Sequence, residues 1–276
     1  MLSYQETGSP VHRLTGATKL IFFLLWAGTT MVTYDTRCLA AMFLLAMAAF
    51  RLSRIRFRDV SFVVYLIAAF LLLNNVAIYL FSPEEGVRIY GTRHEWFRIA
   101  GPYTVTAEQL FYQANVILKY ATVTPMAILF LVTTQPSEFA SSLNRIGVGY
   151  RVAYAVAIAM RYIPDVQRDF QHIAFAQQAR GVDLSRKERL HKRIKNVFAV
   201  LIPLMLSSLE RIETVSAALE LRGFGRGRSR TWYAARPFGK GDRAALALIV
   251  VVAATVTVVT FLDGERFYWF GDGDGG

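Results

Sequence analysis

Cysteine is almost absent: Cys38 stands alone in 276 residues. No internal disulfide can form, and no Cys-rich metal site exists. Cys38 sits in an apolar run and is expected to be a small buried side chain. Histidine is sparse and scattered, at His12, His94, His172 and His191, so no metal site is expected. No G-x-x-x-x-G-K-[ST] occurs, which excludes ATP binding through a P-loop. H-E-x-x-H, G-x-S-x-G and clustered carboxylates are also missing, so no catalytic constellation is visible. Acidic residues are outnumbered, 20 against 31 Lys and Arg, for a net charge of +11. Without a zinc-finger pattern or an aromatic RNA platform, that charge is not expected to serve nucleic acid. No chain of acidic residues crosses the apolar segments, which argues against a self-sufficient proton-driven pump. The polar stretch before the first apolar run does not read as a secretory signal.

What is present is apolar sequence, 54% of the chain. Five stretches read as membrane spans, at about 17–34, 37–50, 60–81, 107–132 and 244–262. The last carries no charge along its length. The apolar run 152–160 is too short to span and is bracketed by Arg151 and Arg161. The turn between the second and third spans holds Arg51, Arg54, Arg56 and Arg58 and is expected to be cytoplasmic. Alternation then places the N-terminus and 133–243 inside, and 82–106 and the tail outside. In 82–106, Glu84, Glu85 and Glu95 balance Arg88, Arg93 and Arg98. FYWF at 267–270 suits an interfacial aromatic anchor, and GDGDGG reads as a frayed tail. Among polar residues in the spans, Lys119 is read as snorkelling from near a span end. Asn74 and Asn75 are read as bonding a neighbouring helix.

The expected fold is all-α: a polytopic membrane protein of about five spans with a cytoplasmic helical module between the last two. The division is 1–133, 134–243 and 244–276. Within the module a short helix is expected over 137–146, stopped by Gly147. A second is expected over 150–180, kinked at Pro164, and a third over 188–222, bent at Pro203. The third carries an apolar stripe including Ile194, Val197, Phe198, Leu201, Met205 and Ile212 at helical spacing. Such a stripe must meet another helix, the membrane or a partner. Both long helices end in an Arg-Gly pair, Arg180-Gly181 and Arg222-Gly223. Each glycine suits a helix C-cap, and each arginine suits the negative end of the helix dipole. A guanidinium at a helix tip can also pair bidentately with a carboxylate.

Three stretches carry a family resemblance: TTQPSEFASSLNRIGVGYRVAYAVAIAMRYIPD, FAQQARGVDL and LIPLMLSSLERIETVSAALELRGFGRG, within 133–227. They resemble the transmembrane T component of energy-coupling factor transporters, vitamin and metal-ion importers of prokaryotes. VHRLTGATKL near the start also suits that family. The resemblance implies that two Ala-Arg-Gly-like motifs end two coupling helices and touch paired ATPase subunits. Ala179-Arg180-Gly181 is a full match; Leu221-Arg222-Gly223 departs at its first position. It further implies a non-catalytic coupler in the cell membrane, with two ABC-type ATPases and a small substrate-binding S component as partners. ATP and Mg²⁺ would sit on the ATPases, and this chain would bind no cofactor. Ala153, Ala155, Ala157 and Ala159 would suit sliding contact with the S component, or packing between the coupling helices. The competing readings are an autonomous channel or secondary transporter, and a membrane-anchored scaffold.

Overall fold

The structure is a computed structural model that describes residues 9–100, 103–183, 190–227, 231–232 and 236–262. The expected aromatic anchor and acidic tail, and residues 184–189 ahead of the third long helix, lie outside the described residues. The chain forms two compact units, Met1–Gln135 with Arg236–Gly276, and Pro136–Ala235.

The membrane unit contains α1 (Gly16–Val32), α2 (Thr36–Leu52), α3 (Phe57–Phe81), α4 (Glu85–Tyr90), α5 (Ala107–Thr133) and α9 (Lys240–Leu262). Helix starts follow local chemistry. Thr15, Asp35 and Thr106 cap α1, α2 and α5 by accepting from the N–H of Thr18, Arg37 and Gln109. α3, α5 and α9 are long and apolar enough to cross a membrane. α1 and α2 have 17 residues each, about 25 Å against a hydrocarbon core of about 30 Å. The five expected spans therefore resolve into three full-length helices and two shorter ones packed against α5.

α5 is the hub. Trp26, Cys38, Met42, Ala46, Met126, Leu129, Ile249 and Val256 form one buried cluster from four helices. Cys38 is a buried core side chain, as its setting predicts. Asp242 accepts from Thr15 N–H at 2.8 Å and Thr15 Oγ1 at 3.1 Å, joining the starts of α1 and α9. Thr33 and Thr260 hydroxyls meet at 2.7 Å near the other ends. α1 and α9 thus run parallel.

Two lysines lock α5 against α1. Lys19 Nζ donates to the Thr133 carbonyl at 2.7 Å, and Lys119 Nζ donates to the Met31 carbonyl at 2.9 Å. Each cation therefore sits on the last turn of the other helix, where carbonyls lack intrahelical partners and the dipole is negative. α1 and α5 are antiparallel, the relative directions that alternation demands. Lys119 does not snorkel: it is buried, with its ammonium 3.4 Å from the Tyr34 ring centroid. It lies in the middle of α5, and the end of α1 supplies its partner. Asn75 bonds mainly within its own helix, Nδ2 donating to the Leu71 carbonyl, while Gln113 of α5 donates to the Asn75 carbonyl.

The connection between α3 and α5 is more ordered than its sequence suggests. It holds α4 and a two-stranded antiparallel hairpin, β1 (Glu95–Ala100) with β2 (Tyr103–Thr106), so the fold is nearly rather than wholly helical. Arg93 pairs with Glu84 at 3.2 Å and Glu95 at 2.7 Å. Buried Glu108 accepts from His94 N–H and Nδ1 and from Thr92 Oγ1, and Gln109 Oε1 accepts from Gly86 N–H at 2.7 Å. Asn115 donates to the Tyr90 hydroxyl, whose pKa burial raises despite that bond. α4 lies so close to α5 that a Cβ on Gly86 would stand 2.5 Å from the Glu108 backbone. Gly86→Ala is expected to cost about 1–3 kcal/mol by overpacking. Thermal unfolding of the purified chain measures this, and an unchanged midpoint would refute the close approach.

The second unit contains α6 (Pro136–Arg145), α7 (Tyr150–Ala179) and α8 (Leu190–Leu221). Pro136 opens α6, where its missing N–H costs nothing. Gly147, at φ +103°, ends it. Pro164 and Pro203 lie inside α7 and α8, both of which continue through them. Each proline leaves a carbonyl one turn back, on Met160 or Ala199, without its helical donor. The four alanines from 153 to 159 do not form one stripe. A two-residue step turns about 200° in a helix, so Ala153 is buried while Ala155 and Ala159 are exposed.

Candidate functional site: the Arg-Gly helix tips

Both Arg-Gly pairs close their helices by the same backbone device. Gly181 has φ +86° and Gly223 φ +64°. Gly181 N–H donates to the Gln178 carbonyl at 2.9 Å, and Val182 N–H to Gln177 at 3.0 Å. Gly223 N–H donates to Glu220 at 2.9 Å, and Phe224 N–H to Leu219 at 2.9 Å. These are two Schellman caps, which require a left-handed residue just beyond the last helical turn. Ala179 and Leu221 are the final helical residues, and Arg180 and Arg222 follow them with exposed side chains.

The two tips are not neighbours. Asn196 Nδ2 donates to the Asp183 carbonyl at 2.7 Å, so the start of α8 lies by the end of α7. At the other extreme, Phe224 packs on Tyr150 and Tyr154 with ring centroids 5.7 and 4.8 Å apart. Arg151 donates to the Gly225 carbonyl at 2.7 Å, and Trp232 Nε1 to Asn144 Oδ1 at 3.1 Å. α7 and α8 are therefore antiparallel along their length, and Arg180 and Arg222 stand at opposite ends of the pair.

Between the tips lies a polar clasp. Arg211 of α8 donates to Asp169 of α7 at 2.5 Å, approaches Asp165 at 3.9 Å and stacks 5.6 Å above the Tyr162 ring. Asp169 precedes Arg180 by the same number of residues as Arg211 precedes Arg222. Each tip is thus about 16 Å from the clasp along its own helix. Asp169 and Arg211 repeat the 42-residue offset of the two Arg-Gly pairs, the one sequence signal that could have singled them out. The apolar stripe of α8 is left largely uncovered: Ile194, Phe198, Met205 and Ile212 are all exposed.

Residues 7–233 match the model of the CbiQ family, described as cobalt transport protein. The chain belongs to this family. Its relatives include an energy-coupling factor transporter transmembrane protein of Bacillus selenitireducens, 27% identical over 95% of this chain and 97% of that one. A protein of the same description from Leuconostoc gelidum is 29% identical, covering 92% of this chain and 94% of that one. A Bifidobacterium longum protein described as an ABC transporter ATP-binding protein is 27% identical over 91% of this chain, which spans only 32% of it. As a CbiQ-family T component, the chain is a multi-pass subunit of a membrane transporter. Family membership covers α6, α7 and both Arg-Gly tips, all of which fall inside the matched region.

Proposed function

We propose that this chain is the energy-coupling subunit of an energy-coupling factor importer for a vitamin or metal ion. In this reading Ala179-Arg180-Gly181 and Leu221-Arg222-Gly223 each engage one ABC-type ATPase. The observation that carries it is the pair of matched tips, at opposite ends of α7–α8 and equidistant from the Arg211 clasp. One tip per subunit of an ATPase pair suits that spacing better than two tips in one groove. The Bifidobacterium relative supports it, since its much longer chain is named for ATP binding.

The chain itself performs no bond chemistry. ATP and Mg²⁺ belong to the ATPases, whose closure shifts α7 and α8 as a packed rigid pair. Pro164 and Pro203 set the curvature of those helices. The uncovered stripe of α8 meets a small S component that captures the substrate. Residues 134–243 form the coupling module, and 1–133 with 244–276 the membrane part. The N-terminus and the module face the cytoplasm of a prokaryotic cell, following the arginines at 51–58.

Co-expression with an ABC-type ATPase pair tests the reading. Expected is a complex of two ATPase subunits per chain, with ATP-dependent uptake only when an S component is also present. Substrate flux through the purified chain alone in liposomes would instead make it an autonomous channel or transporter.

A further inference from the structure

α2 ends at Leu52 and α3 begins at Phe57, so four residues join two apolar helices. Arg51, Arg54, Arg56 and Arg58 crowd this turn, and all four are exposed. Among the described residues none forms an ion pair with a carboxylate. The only acid within the turn's reach in sequence is Asp59.

The turn is firmly shaped. Ser53 is fully buried and its Oγ donates to the Phe50 carbonyl at 2.6 Å. Ile55 is buried in a cluster with Val60, Ile128 and Val132. Arg54 has φ +56° and is the non-glycine residue with positive φ among those described. Left-handed backbone disfavours a side chain, and glycine or asparagine would fit there at lower cost. An arginine held there by a buried serine and isoleucine marks a charge displayed at the expense of backbone comfort.

Apolar side chains flank the charges. Leu52 is 63% exposed and Phe57 57% exposed. Two demands thus meet in one short turn: hydrocarbon for Leu52 and Phe57, and anions for four guanidinium groups. The connector reaches about 14 Å even if fully extended, so it stays at the depth where α2 and α3 leave the membrane. The headgroup layer of a bilayer containing anionic lipid meets both demands at that depth. An acidic protein would have to enter that layer to reach the arginines.

We propose that the α2–α3 turn binds the phosphodiester headgroup of an anionic phospholipid. The planar forks of Arg51, Arg54, Arg56 and Arg58 grip phosphate oxygens, while Leu52 and Phe57 lie against the upper acyl chains. Net positive charge alone orients the loop; a headgroup site adds lipid selectivity. This site is independent of the ATPase-coupling reading.

The test uses the full chain in neutral detergent, titrated with dioleoylphosphatidylglycerol or dioleoylphosphatidylcholine and followed by native mass spectrometry. Wild type is expected to bind the glycerol lipid at about tenfold lower concentration than the choline lipid. Replacing all four arginines with glutamine should erase that preference. Replacing all four with lysine keeps the charge that orients the loop, and should weaken the preference without erasing it. Arg54→Gly should raise the unfolding temperature while weakening phosphatidylglycerol binding, a split that a purely structural turn would not show. Equal binding of the two lipids by wild type would overturn the proposal, and needs no variant to fold. Full displacement by soluble glycerol phosphate would also overturn it, making the turn a site for free phosphate esters. So would a glutamine variant that keeps its lipid preference but sheds a co-expressed ATPase.

Discussion

Arg180→Glu combined with Arg222→Glu is expected to abolish ATPase retention and ATP-driven uptake while leaving the helices folded. The caps are backbone structures: Gly181 and Gly223 supply the left-handed turns, and the N–H groups of Gly181, Val182, Gly223 and Phe224 supply the bonds. Neither arginine side chain forms part of that pattern. Placing Glu at a helix C-terminus costs only about 0.3–1 kcal/mol through the dipole. Truncating one partner of a desolvated charge pair across an interface costs about 2–5 kcal/mol. A reversal adds repulsion, so each tip should lose at least about thirtyfold in affinity. Because the tips stand at opposite ends of α7–α8, each single variant should keep one ATPase contact and lose the other. Pull-down stoichiometry, circular dichroism and uptake read these three quantities separately. A double variant with full assembly and normal uptake would sink the coupling assignment.

Arg211→Ala is expected to lower uptake by about tenfold while both ATPases remain bound. Its groups are about a third exposed, so the ion pair with Asp169 contributes about 1 kcal/mol or less to stability. Its larger effect is geometric, since Arg211 gathers Asp169, Asp165 and Tyr162 onto one point of α8. Spin labels at Gln178 and Glu220, each nine residues from the clasp, should show a separation of roughly 27 Å along the helix pair, broadening in Arg211→Ala. Asp169→Arg with Arg211→Asp should narrow the distribution again and restore uptake. An undisturbed distance distribution in Arg211→Ala would remove the clasp from the mechanism.

Features of short range were the ones the sequence displayed. Pro136 and Gly147 bound α6, and Gly181 and Gly223 stop α7 and α8, because caps depend on a few adjacent residues. The helical character of the membrane unit followed from apolar runs whose backbone must satisfy itself internally. Features that join distant residues were hidden. Lys119 looked like a snorkelling cation because its partner, the Met31 carbonyl, lies 88 residues away on an antiparallel neighbour. α4 and the β1–β2 hairpin escaped notice because Glu108 and Gln109 organise them from the start of α5. The Ala153–Ala159 alternation misled for a different reason: a two-residue period means one face only in a strand. The tips themselves were legible as residues, but their placement at opposite ends was not. That placement rests on Phe224 meeting Tyr150 and Tyr154, and on Asn196 meeting Asp183.

If each tip meets one ATPase, as proposed, the equal spacing about the Arg211–Asp169 contact makes α7–α8 behave as a balance beam with arms of one length. A push on one end alone tilts such a beam and moves the far end the opposite way. Equal pushes on both ends produce no tilt, and the whole beam travels. Two motors acting together on a symmetric beam therefore deliver translation, and one motor acting alone delivers rotation. A chain that is half-engaged should fail by moving in the wrong direction rather than by moving half as far.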